Sequence, residues 1–314
     1  MGGGTAGGGG GRGDPGCGGG CGTAPASSSH GAGSGAEPQL VAADRMGPGD
    51  HACLSFRGHD DRWAVRAAFT LAGFARGERV VIFTGRGTSA PEALDRLTAH
   101  GVPAERFVHS GQLTLSRGSP GYDPVTGAFD PAARTAVLAA GSAESRRRGF
   151  TGMRVAADMA WAAGLAPGEL ASYEADLTPR FARTGFTAIC EYDRAVFPAP
   201  LLDRMTAAHP LAVLPSVDAF HADRAGPRLR LVGTADLATR TDVTLALRAA
   251  FATDPPPTHL DLTPLSFLDA HCAAALLRLP PPLTLHCTPA QHRILHICDP
   301  AALDHLTIEV TAPR

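Results

Sequence analysis

Lysine is absent: every one of the 28 basic residues is an arginine. With abundant Ala, Gly and Pro this reads as a high-GC coding bias rather than as arginine chemistry. The net charge is −2 and the arginines are dispersed apart from Arg146, Arg147 and Arg148, so no basic footprint for nucleic acid is visible. Long apolar runs are missing too. Nothing approaches the roughly 20 consecutive apolar residues that span a bilayer, and the first residues have neither the basic start nor the apolar core of a secretory signal. The expectation is a cytoplasmic protein with no membrane contact and no direct nucleic-acid partner. Seven cysteines in 314 residues, an odd number, fit reduced thiols rather than a disulfide framework.

Reaction signatures are scarce as well. The turn where a nucleotide-binding α/β fold places its phosphate loop is ArgGlyHisAspAspArg at 57–62. It has one glycine, no lysine and two carboxylates that would repel phosphate, so neither a P-loop nor a dinucleotide fingerprint is present. GlyArgGlyThr at 85–88 follows the second strand and reads as a loop. There is no G-x-S-x-G elbow, no zincin helix and no Cys-x-x-Cys pair. The chain is therefore expected to be non-enzymatic, with no cofactor and no assigned metal.

What is present is globular. The hydrophobic fraction is 44% and the charged fraction 18%, and the length suits two domains. Residues 1–40 read as a disordered Gly-rich tail, too poor in large apolar groups to offset the entropy of ordering. Cys17 and Cys21 in that tail form half of a zinc site without a second pair. Over 45–216, predicted strands at 52–56, 79–83, 112–115, 153–157, 187–192 and 211–214 alternate with predicted helices at 62–76, 90–100, 130–148, 169–183 and 200–208. This predicts an α/β fold with one doubly wound, mainly parallel sheet. A smaller α/β unit over 220–314 follows, with strands at 228–232, 259–262, 283–287 and 306–310 and helices at 239–251, 270–279 and 290–297. The proline runs at 255–257 and 280–282 mark loops.

Open α/β sheets bind ligands at strand ends. The polar and thiol groups predicted there are His51 and Cys53 on the first strand, Asp158 and Trp161 after the strand at 153, and Cys190, Glu191, Tyr192 and Asp193 on the strand at 187, joined by Tyr173 and Glu174 from the intervening helix. Plainer roles compete. Cys190 suits a small core residue, His51 a loop cap, Trp161 a core wall, and Tyr173 with Glu174 the two sides of an amphipathic helix. His51, Cys53, Cys190 and Asp158 would also serve as a mixed N, S and O metal set. An enzyme using Cys190, Asp193 and His51 for thiol or metal chemistry is the alternative reading.

GlyAspHisAlaCysLeuSerPhe (49–56), GlyGlnLeu (111–113), ArgValAlaAlaAspMetAlaTrp (154–161), SerTyrGluAlaAspLeu (172–177), CysGluTyrAsp (190–193) and HisPro (209–210) together resemble a MEDS domain, the methanogen/methylotroph DcmR sensory domain. The resemblance covers about 45 to 215. It implies a fold similar to RecA-type sheets without the phosphate loop, and sensing of an unknown small molecule such as a hydrocarbon derivative.

GlyThrAlaAspLeuAlaThr (233–239) and the segment 258–276 around LeuAspAlaHisCys resemble the signature of STAS domains, the anti-sigma-factor antagonists. The resemblance implies docking on an anti-sigma factor or related kinase-like regulator through Asp236, Asp269, Ala270, His271 and Cys272. That family carries a phosphorylatable hydroxyl after the strand-end Asp, and a phosphate there adds nearly two negative charges to the docking surface. In this chain Asp269 is followed by Ala270, His271 and Cys272, so the switch serine is missing and a constitutive docking module is expected.

Overall fold

A computed structural model describes residues 1–2, 38–85, 87–117 and 128–312. Residues 3–37, with Cys17 and Cys21, lie outside the described residues, as does Arg86 of the 85–88 loop. The described residues from 38 on form one compact unit carrying two sheets.

The first sheet is built from β1 (Gln39–Val41), β2 (His51–Phe56), β3 (Arg79–Phe83), β4 (Leu113–Ser116), β5 (Met153–Asp158), β6 (Thr187–Asp193) and β7 (Leu211–Val213). The connections carry α1 (His59–Ala75), α2 (Ala90–Ala99), α3 (Ala104–His109), α4 (Pro131–Arg147), α5 (Pro167–Thr184) and α6 (Ala199–Ala208), with 3-10 turns at Ala43–Arg45 and Ala160–Gly164. Strand order is β1-β7-β2-β6-β5-β3-β4, and every pairing in it is parallel. The α/β expectation is met with one more strand than predicted. Gln39–Val41 lies where the tail was expected to end, yet it pairs with β7 as an edge strand. Three residues carry no periodicity, so only the pairing defines it.

Side chains alternate across this sheet with the period of two that a pleated strand imposes. Leu54, Ala156 and Ile189 pack under Trp63, Phe69 and Leu97 on the side of α1 and α2. Cys53, Val155, Cys190 and Tyr192 pack under Leu170, Leu177, Phe181 and Met205 on the side of α5 and α6. Position parity therefore decides which candidate residues can meet: His51, Cys190 and Tyr192 share the α5/α6 side, whereas Asp158 and Glu191 face α1.

The second sheet contains β8 (Phe220–Ala225), β9 (Arg228–Ala235), β10 (His259–Asp261), β11 (Leu265–Leu268), β12 (Thr284–Cys287) and β13 (Thr307–Val310), with α7 (Arg240–Phe251), α8 (Ala270–Leu276), α9 (Pro289–Cys298) and α10 (Pro300–Leu303). β8 forms an antiparallel hairpin with β9. β10 and β11 pair with successive stretches of the opposite edge of β9, at 228–230 and 233–235. Neither β8 nor β11 is evident in the sequence: β8 is a half-exposed, polar-alternating strand, and β11 is four residues following Pro264.

Polar contacts tie the 3-10 turn at Ala43–Arg45 to β11. The Arg45 guanidinium donates to the carbonyls of Leu265 and Ser266, and the Ser266 hydroxyl donates to the Asp44 carboxylate at 2.6 Å. Arg230 donates to the Leu40 carbonyl at 2.8 Å, and Ala42, Leu214 and Val232 form a small apolar cluster beside these bonds.

Candidate functional site

Four ligand-type side chains converge beneath α5 and α6. His51 opens β2, Cys190 lies in the middle of β6, Glu174 projects inward from α5, and His209 follows the last residue of α6. Their exposures are 0%, 5%, 0% and 3% respectively. Glu174 Oε2 stands 3.3 Å from His51 Nε2 and 3.4 Å from His209 Nε2. Cys190 Sγ lies 3.5 Å from both His51 Nε2 and Glu174 Oε2. One donor atom from each of the four fits within 4.8 Å of all the others.

Each group is held from behind. His51 Nδ1 meets the Thr178 hydroxyl at 2.9 Å, His209 Nδ1 donates to the Met205 carbonyl at 2.7 Å, and the Tyr192 hydroxyl donates to Glu174 Oε1 at 2.8 Å. The α5 contribution follows from helical spacing: Leu170, Glu174, Leu177 and Phe181 are all buried on one face, and Thr178 sits one turn beyond Glu174.

The electrostatics are those of a dry site. Burial, reinforced by His209, pushes the His51 imidazolium down to about 4, so the ring is neutral at pH 7. Burial opposes ionisation of Glu174, but the imidazoles of His209 and His51 outweigh it and hold the carboxyl below its ordinary range. Burial, and then the Glu174 charge, raise the Cys190 thiol well above its usual range. Without a cation the thiol stays protonated, which disarms it as a nucleophile.

The other predicted residues separate by face. Cys53 is buried on the same side, but its thiol faces the Thr206 hydroxyl at 3.9 Å rather than the quartet. Tyr173 accepts from Arg134 Nε at 2.9 Å, and Trp161 packs against Phe129 and Tyr173 with the Arg134 guanidinium over its ring at 4.1 Å. Asp193 accepts from the Ala195 amide at 2.8 Å in its own turn.

Asp158 lies across the sheet, paired with Arg62 at 2.6 Å. The structure therefore does not bring His51, Cys53, Cys190 and Asp158 together as a mixed metal set: parity puts Asp158 across the sheet and Cys53 faces Thr206, while Glu174 and His209 stand beside His51 and Cys190. Nor do these residues line an open strand-end pocket, because His51, Glu174, Cys190 and Tyr192 are enclosed under the helices. His209 and Thr178 are the members that sequence reasoning missed. HisPro at 209–210 was part of the family resemblance, but nothing local aims that imidazole at β2.

On the α1 side, Glu191 receives Arg62 Nε at 2.8 Å and Arg66 Nε at 2.8 Å. The turn at 57–62 thus leads into a helix whose Arg62 is committed to the Glu191 and Asp158 carboxylates. Gly85, at φ +76°, packs so closely on Asp158 that a Cβ would lie 2.8 Å from its carboxylate. This is the geometry of an ion-paired strut rather than of a phosphate cradle.

An open groove of about 740 Å³ runs between α1 and the segment 214–217, with Ser266 of β11 in its lining. Val65, Ala68 and Leu71 supply one wall, Leu214 and Val217 the other, and Asp44 and Ser266 are among the polar groups lining it.

In the second sheet, Asp269 caps α8 by accepting from the Cys272 amide at 2.7 Å. Ala270 and His271 are exposed, and Asp236, half-buried, closes its own turn by accepting from the Ala238 amide at 2.9 Å. Cys272 is only 2% exposed: the first turn of α8 points it into the core, so it is not a surface contact. Leu237 and Phe267, 69% and 54% exposed, add apolar surface beside these residues. Asp269→Ala is expected to cost about 1 kcal/mol, the usual worth of an N-cap, read as a lower urea midpoint with an unchanged slope.

A parallel α/β sheet whose first crossover carries buried ion pairs in place of a phosphate loop, and whose opposite face encloses a polar quartet, defines an α/β module without a phosphate loop. The chain belongs to the MEDS family: the model for the MEthanogen/methylotroph, DcmR Sensory domain matches residues 50–210. No curated protein matches the chain. The sensory family gives the chain a signalling role, and no helix among the described residues is long and apolar enough to cross a membrane. Cys53, Cys190, Cys272, Cys287 and Cys298 are free thiols.

Proposed function

We propose that the chain is a non-enzymatic signalling protein in which a small molecule bound by the MEDS part changes how residues 220–314, a STAS-like module without a phosphorylatable hydroxyl, dock on an anti-sigma factor or related kinase-like regulator. The observation that carries this reading is the groove of about 740 Å³ lined from both sides, by α1 and by Leu214, Val217 and Ser266. Its volume lies in the range of small-molecule sites.

Asp44 and Ser266, which line the groove, are also hydrogen-bonded to each other, and Ser266 belongs to β11, the strand that leads into Asp269. An occupant touching α1 and this bridge would bias the strand that presents Asp269, Ala270 and His271.

Thermal-shift screening of the full chain against small alcohols, amines, carboxylates and halogenated hydrocarbons tests the sensing half. A ligand at 100 times its Kd stabilises by about 2.7 kcal/mol, and Ala68→Trp, which fills the groove, is expected to abolish that shift. Pull-down on an anti-sigma-class kinase with and without the ligand tests the other half. No shift across the panel, or docking indifferent to an identified ligand, would refute the reading.

A further inference from the structure

We propose that His51, Glu174, Cys190 and His209 bind one zinc ion, with all four protein groups as ligands. The first argument is metric. Zinc held tetrahedrally at about 2.1 Å from N and O and about 2.3 Å from S implies N···O edges of about 3.4 Å and S···N or S···O edges of about 3.6 Å. Four of the six edges are 3.3 and 3.4 Å for N···O and 3.5 Å from sulfur to His51 Nε2 and to Glu174 Oε2, and all four donor atoms lie within 4.8 Å of one another.

The second argument is an orphaned atom. His209 Nδ1 faces a carbonyl, which accepts only, so the ring proton resides there and Nε2 presents a lone pair. That Nε2 is buried without a hydrogen-bond partner and faces the Glu174 carboxylate. In the neutral ring, two lone pairs aimed at each other in a dry site repel unless a proton or a metal ion lies between them.

The third argument is the outer support. Ligating imidazoles characteristically use their second nitrogen in a hydrogen bond that fixes tautomer and ring orientation, and ligating carboxylates are themselves hydrogen-bonded. Thr178, Met205 and Tyr192 do this for His51, His209 and Glu174.

Charge and donor type agree. A thiolate, a carboxylate and two neutral imidazoles neutralise a divalent ion, and the mix of borderline N, S and O donors in a tetrahedron suits zinc over magnesium or calcium. On binding, the Cys190 proton leaves to solvent and the sulfur becomes the ligand. Four protein donors leave no open position, so the ion would staple β2, β6, α5 and the end of α6 rather than activate water.

The test uses the full-length chain. Elemental analysis after purification and exhaustive dialysis is expected to give about one zinc per chain. Cobalt substitution is expected to give intense tetrahedral d–d bands together with a thiolate-to-cobalt charge-transfer band. Cys190→Ser should remove the charge-transfer band and weaken zinc binding at least about tenfold, whereas Cys53→Ser, the neighbouring buried thiol outside the quartet, should change neither. Tyr192→Phe should retain the stoichiometry and weaken affinity about tenfold.

If Cys190→Ser fails to fold, the wild-type stoichiometry and cobalt spectrum still decide. A folded wild-type chain that takes up no zinc from added zinc chloride, or a cobalt form with no thiolate band, would overturn the proposal and leave the quartet as a hydrogen-bonded polar cluster. A charge-transfer band that disappears in Cys53→Ser would overturn the assignment of the sulfur ligand.

Discussion

Glu191→Ala is expected to lower the unfolding free energy by about 3–5 kcal/mol, the range for removing one partner of a buried ion pair. Glu191 is 1% exposed and serves two guanidinium groups that are themselves 4% and 1% exposed. Once it is gone, Arg62 still has Asp158 at 2.6 Å, but Arg66 retains only the Trp63 ring, 4.5 Å away. Burial already works against the Arg66 charge, and the Glu191 carboxylate beside it is the main force opposing that burial.

Asp158→Asn provides the internal comparison. Asp158 is 14% exposed and shares Arg62 with Glu191, so its loss should cost about 1 kcal/mol, the net worth of one hydrogen bond. Urea denaturation followed by tryptophan fluorescence reads both variants, since Trp63 packs directly on Arg66. Equal effects, or a Glu191→Ala cost below about 1 kcal/mol, would show that the guanidinium groups are solvated and that the strut is not structural.

The second large effect belongs to the other sheet. Gly233 in β9 has φ +93°, and a Cβ there would lie 2.0 Å from the Ala219 carbonyl oxygen and 2.8 Å from Leu214 Cδ1. Gly233→Ala combines a left-handed backbone, about 1–2 kcal/mol, with overpacking of about 1–3 kcal/mol. A total of roughly 3 kcal/mol or more is expected. Both tryptophans, Trp63 on α1 and Trp161 in the 3-10 turn at Ala160–Gly164, pack in the clusters on the two faces of the first sheet. The variant should therefore shift the circular-dichroism transition more than the fluorescence transition. Coincident, unshifted curves would mean that the 214–219 connector moves aside at little cost.

Much of the architecture was legible. The apolar run ArgValValIlePhe coincides with β3, and the alternation of short runs with amphipathic stretches located β2, β5, β6 and the five crossover helices predicted between the first-sheet strands. What escaped was short or defined by a partner: β1 and β11 are three and four residues long, and β8 exists as the antiparallel mate of β9. The site was half legible. His51, Glu174, Cys190 and Tyr192 were all named from the strand and helix that carry them, but Asp158 was grouped with them and His209 was left out. Sequence proximity to a strand end does not reveal which face a side chain takes.

The sequence alone thus determined the α/β alternation, the lack of a phosphate cradle at 57–62 and the lack of a hydroxyl at 270–272, because each depends only on which residue types stand within a few positions of one another. Tertiary structure decided the rest. The order β1-β7-β2-β6-β5-β3-β4 places His51 and Cys190 on adjacent strands, the pleat sends Glu191 to the opposite side, and the packing of α5 and α6 brings Glu174 and His209 over them. The contacts of His51 with Cys190 and Glu174 join residues more than a hundred positions apart, and a contact at that separation is set by strand pairing and helix packing, to which no local pattern is sensitive.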